Sequence, residues 1–146
     1  IKGLEHVFPH TLGVYVTYLG ASAFSGCTSL TSATLPQAIT RISSGLFENC
    51  SSLTTVQASS ALTSIGSRAF AETSALSSFT FPQTLTAVGA ESFTGSGIVT
   101  ANLPQSVTYL GAGAFAESQW QAPGPSFRRS EISALRLTGC PASGCR

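Results

Sequence analysis

The chain contains no aspartate, only two histidines and one tryptophan, and charged residues make up just 9% of it. Soluble proteins ordinarily carry about a quarter. The missing aspartate removes the usual Ser-His-Asp triads and many oxygen-ligand metal sites. A formal charge of +1 gives no electrostatic basis for binding nucleic acid or an anionic membrane. Apolar runs are short, so no segment reads as a spanning helix and no membrane insertion is expected. His6 and His10 are four residues apart, but Pro9 lies between them and prevents a regular helix. They read as solvated side chains rather than metal ligands. No cofactor is expected. No secretory leader is visible either. The chain opens inside a repeat-like stretch (Leu4, Val7, Phe8, Pro9), which suggests a fragment or a processed form.

What the chain does have is a phenylalanine on a fixed beat. Phe24, Phe47, Phe70, Phe93 and Phe115 are spaced by 23, 23, 23 and 22 residues. Other columns keep the same beat. Leu30, Leu53, Leu76 and Ile98 form one; Ala33, Val56, Phe79 and Ala101 another. Leu35, Ala58, Phe81 and Leu103 precede Pro36, Ser59, Pro82 and Pro104. Ile39, Leu62, Leu85 and Val107 follow, and then Leu19, Ile42, Ile65, Val88 and Leu110. Such columns predict a solenoid, because one repeat cannot bury its apolar face alone.

The 146 residues read as a single domain. Residues 1–15 are a degenerate first repeat and 16–118 the regular array. Residues 119–130, with two prolines and Trp120, are an insertion. Residues 131–146 hold a last strand, where Ile132, Leu135 and Leu137 recover the spacing, and an irregular tail. Within a repeat, Leu30 to Leu35 alternates apolar and polar residues, as a half-buried strand does. Ile39 to Ile42 is a second short extended piece. The Phe segment is too short for a free helix and predicts a single helical or 3₁₀ turn. The fold class is thus an α/β-type repeat solenoid with short parallel strands and a period of about 23 residues.

The combined columns resemble the BspA-like leucine-rich repeat family. Leu76 to Phe93 follows that family's pattern almost position by position, as does Gly20-Ala-Ser-Ala-Phe-Ser-Gly-Cys27. Ala58-Ser59, in place of an apolar-Pro pair, and the 119–130 insertion depart from it. The resemblance implies a non-enzymatic surface protein of bacteria or protists, used for adhesion or protein binding. The expected location is extracellular or on the cell surface.

Candidate sites are few. Cys27 and Cys50 share a column in consecutive repeats, about 5 Å apart, with side chains expected to run parallel. They read as buried thiols. Cys140 and Cys145 form a possible disulfide in the tail. Their spacing does not suit zinc. Glu48, Glu72, Glu91 and Glu117 fall beside the Phe turns and read as isolated surface carboxylates. Asn49-Cys50-Ser51 matches a glycosylation acceptor, weakened by the cysteine expected to be buried within it.

Polar ladders are the better candidates. Thr17, Thr40, Thr63, Thr86 and Thr108 form an unbroken column. Tyr18, Arg41 and Tyr109 stand beside it as possible anchors, since Tyr and Arg are common in hot spots. Trp120, Arg128 and Arg129 in the insertion form a second candidate patch. The expected partner is a protein or a glycan, met on an uncharged Ser/Thr-rich surface. One alternative is a structural protein whose copies stack head to tail into filaments. A more remote one is ice binding by the Thr column.

Overall fold

The computed structural model describes residues 16–119. The degenerate repeat at 1–15, Trp120, Arg128 and Arg129 of the insertion, the last strand, and Cys140 and Cys145 of the tail lie outside the described residues.

The strands are short and all pair in parallel. They are β1 (Ser32–Thr34), β2 (Arg41–Ile42), β3 (Thr55–Gln57), β4 (Ser64–Ile65), β5 (Ala87–Val88) and β6 (Tyr109–Leu110). One sheet runs β2-β4-β5-β6 and another pairs β1 with β3. Register follows the sequence columns: Ile42 lies against Ile65, Ile65 against Val88, and Val88 against Leu110. The β1–β3 ladder resumes later as a single bridge between Ser78 and Thr100. The interruption falls where Val56 gives way to Phe79, and Ala58 to Phe81, so that two large rings enter the core at once.

The core is the set of columns. Phe47, Phe70, Phe93 and Phe115 are fully buried. Neighbouring rings of this column stack nearly parallel, with centroids 5.8, 5.4, 5.1 and 5.2 Å apart from Phe24 to Phe115. Phe79 and Phe81 meet the stack with tilted or edge-on rings, Phe79 against Phe70 and Phe93 and Phe81 against Phe93 and Phe115. These geometries suit the ring quadrupole.

The expected helical or 3₁₀ turn does not form. Among the described residues there is no helix, so the α part of the α/β class is corrected. Each Phe segment is a chain of tight turns closed by Ala23 N–H to Gly20 O, Ser25 N–H to Ser22 O and Cys27 N–H to Phe24 O. Two positions per repeat take a left-handed backbone. They are Ser22, Gly45, Arg68, Glu91 and Gly113, then Gly26, Asn49, Glu72, Gly95 and Glu117. A left-handed residue every fourth position makes a continued helix impossible. The alternate N–H groups of Ser22, Phe24 and Gly26 are thereby aimed at Ser44, Leu46 and Glu48 carbonyls of the next repeat. Every amide from Ser22 to Cys27 is therefore paired, half locally and half across repeats.

The two sides of a repeat donate differently. In the Phe turns the earlier repeat donates forward, as Phe47 N–H does to Ala69 O. On the strand side donation runs both ways: Thr63 N–H reaches back to Thr40 O and Gly66 N–H to Ile42 O, while Leu35 N–H reaches forward to Gln57 O.

Backbones approach closely in the Gly66, Gly89 and Gly111 column and again at Gly97. A Cβ on Gly89 would lie 2.6 Å from Gly66 C and Ser67 N, whereas one on Gly20 would meet nothing within 4 Å among the described residues. Ser59, which replaces the usual proline, is buried. Its Oγ donates to Gln37 O at 2.8 Å and accepts from Ala61 N–H at 3.0 Å, which holds the turn without a proline ring.

Candidate functional site

Thr17, Thr40, Thr63, Thr86 and Thr108 are all exposed and lie one residue ahead of the Tyr18, Arg41, Ser64, Ala87 and Tyr109 column. Their hydroxyls face along the ladder. Thr63 Oγ1 donates to Thr40 O at 2.9 Å, Thr86 Oγ1 to Thr63 O at 3.0 Å, and Thr108 Oγ1 to Thr86 O at 3.4 Å. Each of these carbonyls also accepts the backbone N–H of the same donor residue. The column thus ties repeat to repeat and keeps its hydroxyl lone pairs as acceptors toward solvent.

The next column supplies the anchors. Along each two-residue strand the first side chain points out and the second points in: Arg41 is exposed and Ile42 buried, Tyr109 exposed and Leu110 buried. Period-two alternation causes this. Tyr18 and Tyr109 are 66% and 58% exposed, values that mark them as large side chains with no apolar cover. Between Arg41 and Tyr109 lie only Ser64 and Ala87. Three ladder steps of about 4.8 Å separate the two anchors by roughly 14 Å. The face is therefore flat, with small residues at its centre and anchors toward both ends. The second polar surface carries Thr55, Gln57, Ser78, Thr80, Thr100 and Asn102, all exposed.

The Phe-turn side differs from expectation. Glu48 and Glu91 are not isolated: Arg68 pairs with Glu48 at 2.7 Å and with Glu91 at 2.5 Å. The two carboxylates, Glu48 first, raise the Arg68 guanidinium above its usual range. Because the groups are half exposed, the bridge contributes modestly to stability. Sequence reasoning passed over Arg68. The partial signal was the 23-residue spacing of Arg68 and Glu91, one repeat apart, whereas Glu48 lies off that spacing. A shallow hollow beside this bridge is lined by Arg68, Glu72, Glu91, Thr94 and Glu117.

Cys27 and Cys50 are buried thiols. Cys50 Sγ lies 3.0 Å from Phe24 O as its donor. Burial is the main cause that pushes the Cys50 thiol up to about 11. The same column continues as Thr73 and Ser118, whose hydroxyls donate to Phe70 O and Phe115 O at 2.6 and 2.7 Å. A buried neutral thiol of this kind is a poor nucleophile. Among the described residues no three His, Cys or Glu side chains are grouped to hold a metal ion. No helix there is long and apolar enough to cross a membrane.

This arrangement of parallel two-residue strands, stacked phenylalanines and closely apposed backbones has known counterparts. A leucine-rich repeat protein of Bacteroides ovatus is 32% identical with a TM-score of 0.70, over 73% of this chain and 28% of that one. A leucine-rich repeat protein of T. pallidum is 30% identical with a TM-score of 0.71, over 76% of this chain and 53% of that one. A leucine-rich repeat protein of Eubacterium ventriosum, at 24% identity and a TM-score of 0.55 over 82% of this chain and 39% of that one, shares the fold. The chain thus spans between about a quarter and a half of the length of the first two relatives. No curated protein matches it. The pattern described as BspA type Leucine rich repeat region matches residues 8–121 in 6 copies. The chain belongs to the BspA-type leucine-rich repeat family.

Proposed function

We propose that the chain is a non-enzymatic binding module, displayed outside the cell, that adheres to a protein or glycan partner through the outer face of the β2-β4-β5-β6 sheet. The family suggests a protein-binding or surface module. The reading of the face is carried by one observation. Arg41 and Tyr109 are exposed anchors on a sheet whose neighbouring threonines, from Thr40 to Thr108, are hydrogen-bonded from repeat to repeat, and exposed Tyr18 stands in the same column one repeat before β2. Such a face is already ordered before contact, so little conformational entropy is lost on binding. Buried tyrosine and arginine supply the energy, while carbonyl and hydroxyl acceptors supply adaptable polar contacts. Coils stacked as a solenoid would make this face extensible with repeat number.

The test is adhesion of the immobilised chain to intact cells and to a glycan panel, comparing Tyr109→Ala with Glu117→Ala on the Phe-turn side. Tyr109→Ala is expected to weaken binding at least tenfold, about 1.4 kcal/mol, with Glu117→Ala near wild type. Binding is expected to change little with salt, because the face carries one charged anchor. Equal losses in both variants would move the site to the insertion with Trp120, Arg128 and Arg129. Sedimentation of the purified chain as long polymers would favour the filament reading instead.

A further inference from the structure

The sequon Asn49-Cys50-Ser51 plays no part in the sheet face, and its surroundings repay a closer look. Asn49 sits at the second left-handed position of its repeat, with φ 61°. Its neighbours in that column are Gly26, Glu72, Gly95 and Glu117, so the backbone there does not by itself demand asparagine. Asn49 and Ser51 are both exposed, while Cys50 between them is fully buried. The Asn49 backbone N–H is used, donating to Ala71 O at 2.9 Å, but its side-chain amide makes no hydrogen bond among the described residues. Room is also available. One repeat earlier, Gly26 has no side chain, and an added Cβ there would meet nothing within 4 Å among the described residues. The surface on that side of Asn49 is thus uncovered there.

We infer that Asn49 is an acceptor for an N-linked oligosaccharide. The inference rests on the extracellular reading above, because the donor is a polyprenyl-diphosphate oligosaccharide met in a secretory compartment. The Asn49 Nδ2 forms a bond to the anomeric carbon of the first sugar. The bond from that carbon to the diphosphate oxygen breaks, the diphosphate leaves with the electron pair, and the amide proton passes to a base. Ser51 supplies the hydroxyl that the acceptor pattern requires. Transfer takes place on the unfolded chain, where Cys50 is accessible. Folding then draws the Cys50 side chain into the core and leaves the glycan outside, because the acceptor and the hydroxyl face solvent together. The anchors Tyr18, Arg41 and Tyr109 lie on another column, so the product need not cover them.

The test is secretion of the full chain from a eukaryotic host, followed by intact mass measurement before and after an amidase that removes N-linked glycans. The wild-type chain is expected to gain the mass of one oligosaccharide and to lose it on amidase treatment. Asn49→Gln and Ser51→Ala are each expected to abolish the gain, and Ser51→Thr to keep it. Glu72→Asn places an equivalent sequon one repeat later, with Thr73 buried and Ser74 exposed, and is expected to add a second glycan. A wild-type chain secreted without added mass overturns the inference. It does so most sharply where Glu72→Asn is modified, since that isolates the fault to Asn49. Adhesion of unglycosylated chain made in bacterial cytoplasm is measured separately, so failure here leaves the sheet-face reading intact, and the reverse also holds.

Discussion

Phe70→Ala is the sharpest test of the core. Phe70 is fully buried. It stacks on Phe47 at 5.4 Å and on Phe93 at 5.1 Å, and meets Phe79 at 5.2 Å with a 54° tilt. Emptying a large aromatic site costs about 3–5 kcal/mol from lost transfer and residual cavity. Each ring contact adds about 0.5–1.5 kcal/mol beyond burial, though not additively. Relief by collapse is restricted, because the Phe47 and Phe93 backbones are each tied to the following repeat through N–H bonds to the Ala69 and Ala114 carbonyls. The expected loss therefore lies at the upper end, about 4–5 kcal/mol. With a urea slope of about 2 kcal/mol/M, the midpoint should fall by about 2 M with the slope unchanged. Urea melts followed by circular dichroism and by tyrosine fluorescence provide the measurement. A loss below about 1 kcal/mol would refute the reasoning, since no buried, triply contacted ring can be removed so cheaply.

Two further outcomes follow from local geometry. Gly89→Ala should destabilise by about 3 kcal/mol or more, since its new Cβ meets backbone atoms at 2.6 Å and overpacking alone costs about 1–3 kcal/mol. Gly20→Ala, with nothing within 4 Å among the described residues, should stay within about 0.5 kcal/mol, and equal melts for the two would contradict the close approach. The Cys50 thiol has its folded pKa raised from 9.0 to about 11, so the unfolded chain releases its proton first. Its contribution to stability is full below about pH 9 and is lost as pH rises through about 11, amounting to about 2–3 kcal/mol. Cys50→Thr, which copies the hydrogen-bonded Thr73, should remove that part of the alkaline loss. Native alkylation should label Cys50 slowly at neutral pH, and rapid labelling would contradict its burial.

The strands and the core were legible because identical columns meet identical neighbours. Ile42, Ile65, Val88 and Leu110 announce one ladder by spacing alone, and the parallel register followed from it. The turn conformation was not legible in the same way. Left-handed positions are held by Ser22, Arg68 and Glu91 as well as by Gly45 and Gly113. A steric cost of about 1–2 kcal/mol for each non-glycine residue is offset by inter-repeat hydrogen bonds that no single-repeat pattern displays. Gly26 and Gly95 were partial clues. The polar face shows the same division. Its Thr column is evident in the sequence, but the direction of its hydroxyls is decided by which carbonyls the stacked backbone leaves within reach. Arg68 went unnoticed because its partners, Glu48 and Glu91, are 20 and 23 residues away and only the stacked arrangement brings all three together.

The one-way donation of the Phe turns has an electrostatic consequence. Their cross-repeat N–H groups, from Ser22 to Gly95, all point toward the following repeat, so these amide dipoles add along the stack. The parallel strands alternate in sense and contribute little to the sum. An α-helix gathers partial charge at its ends in the same way. The row of Phe turns therefore presents its electropositive end toward the later repeats, a polarity that a chain with 9% charged residues has few side chains to offset.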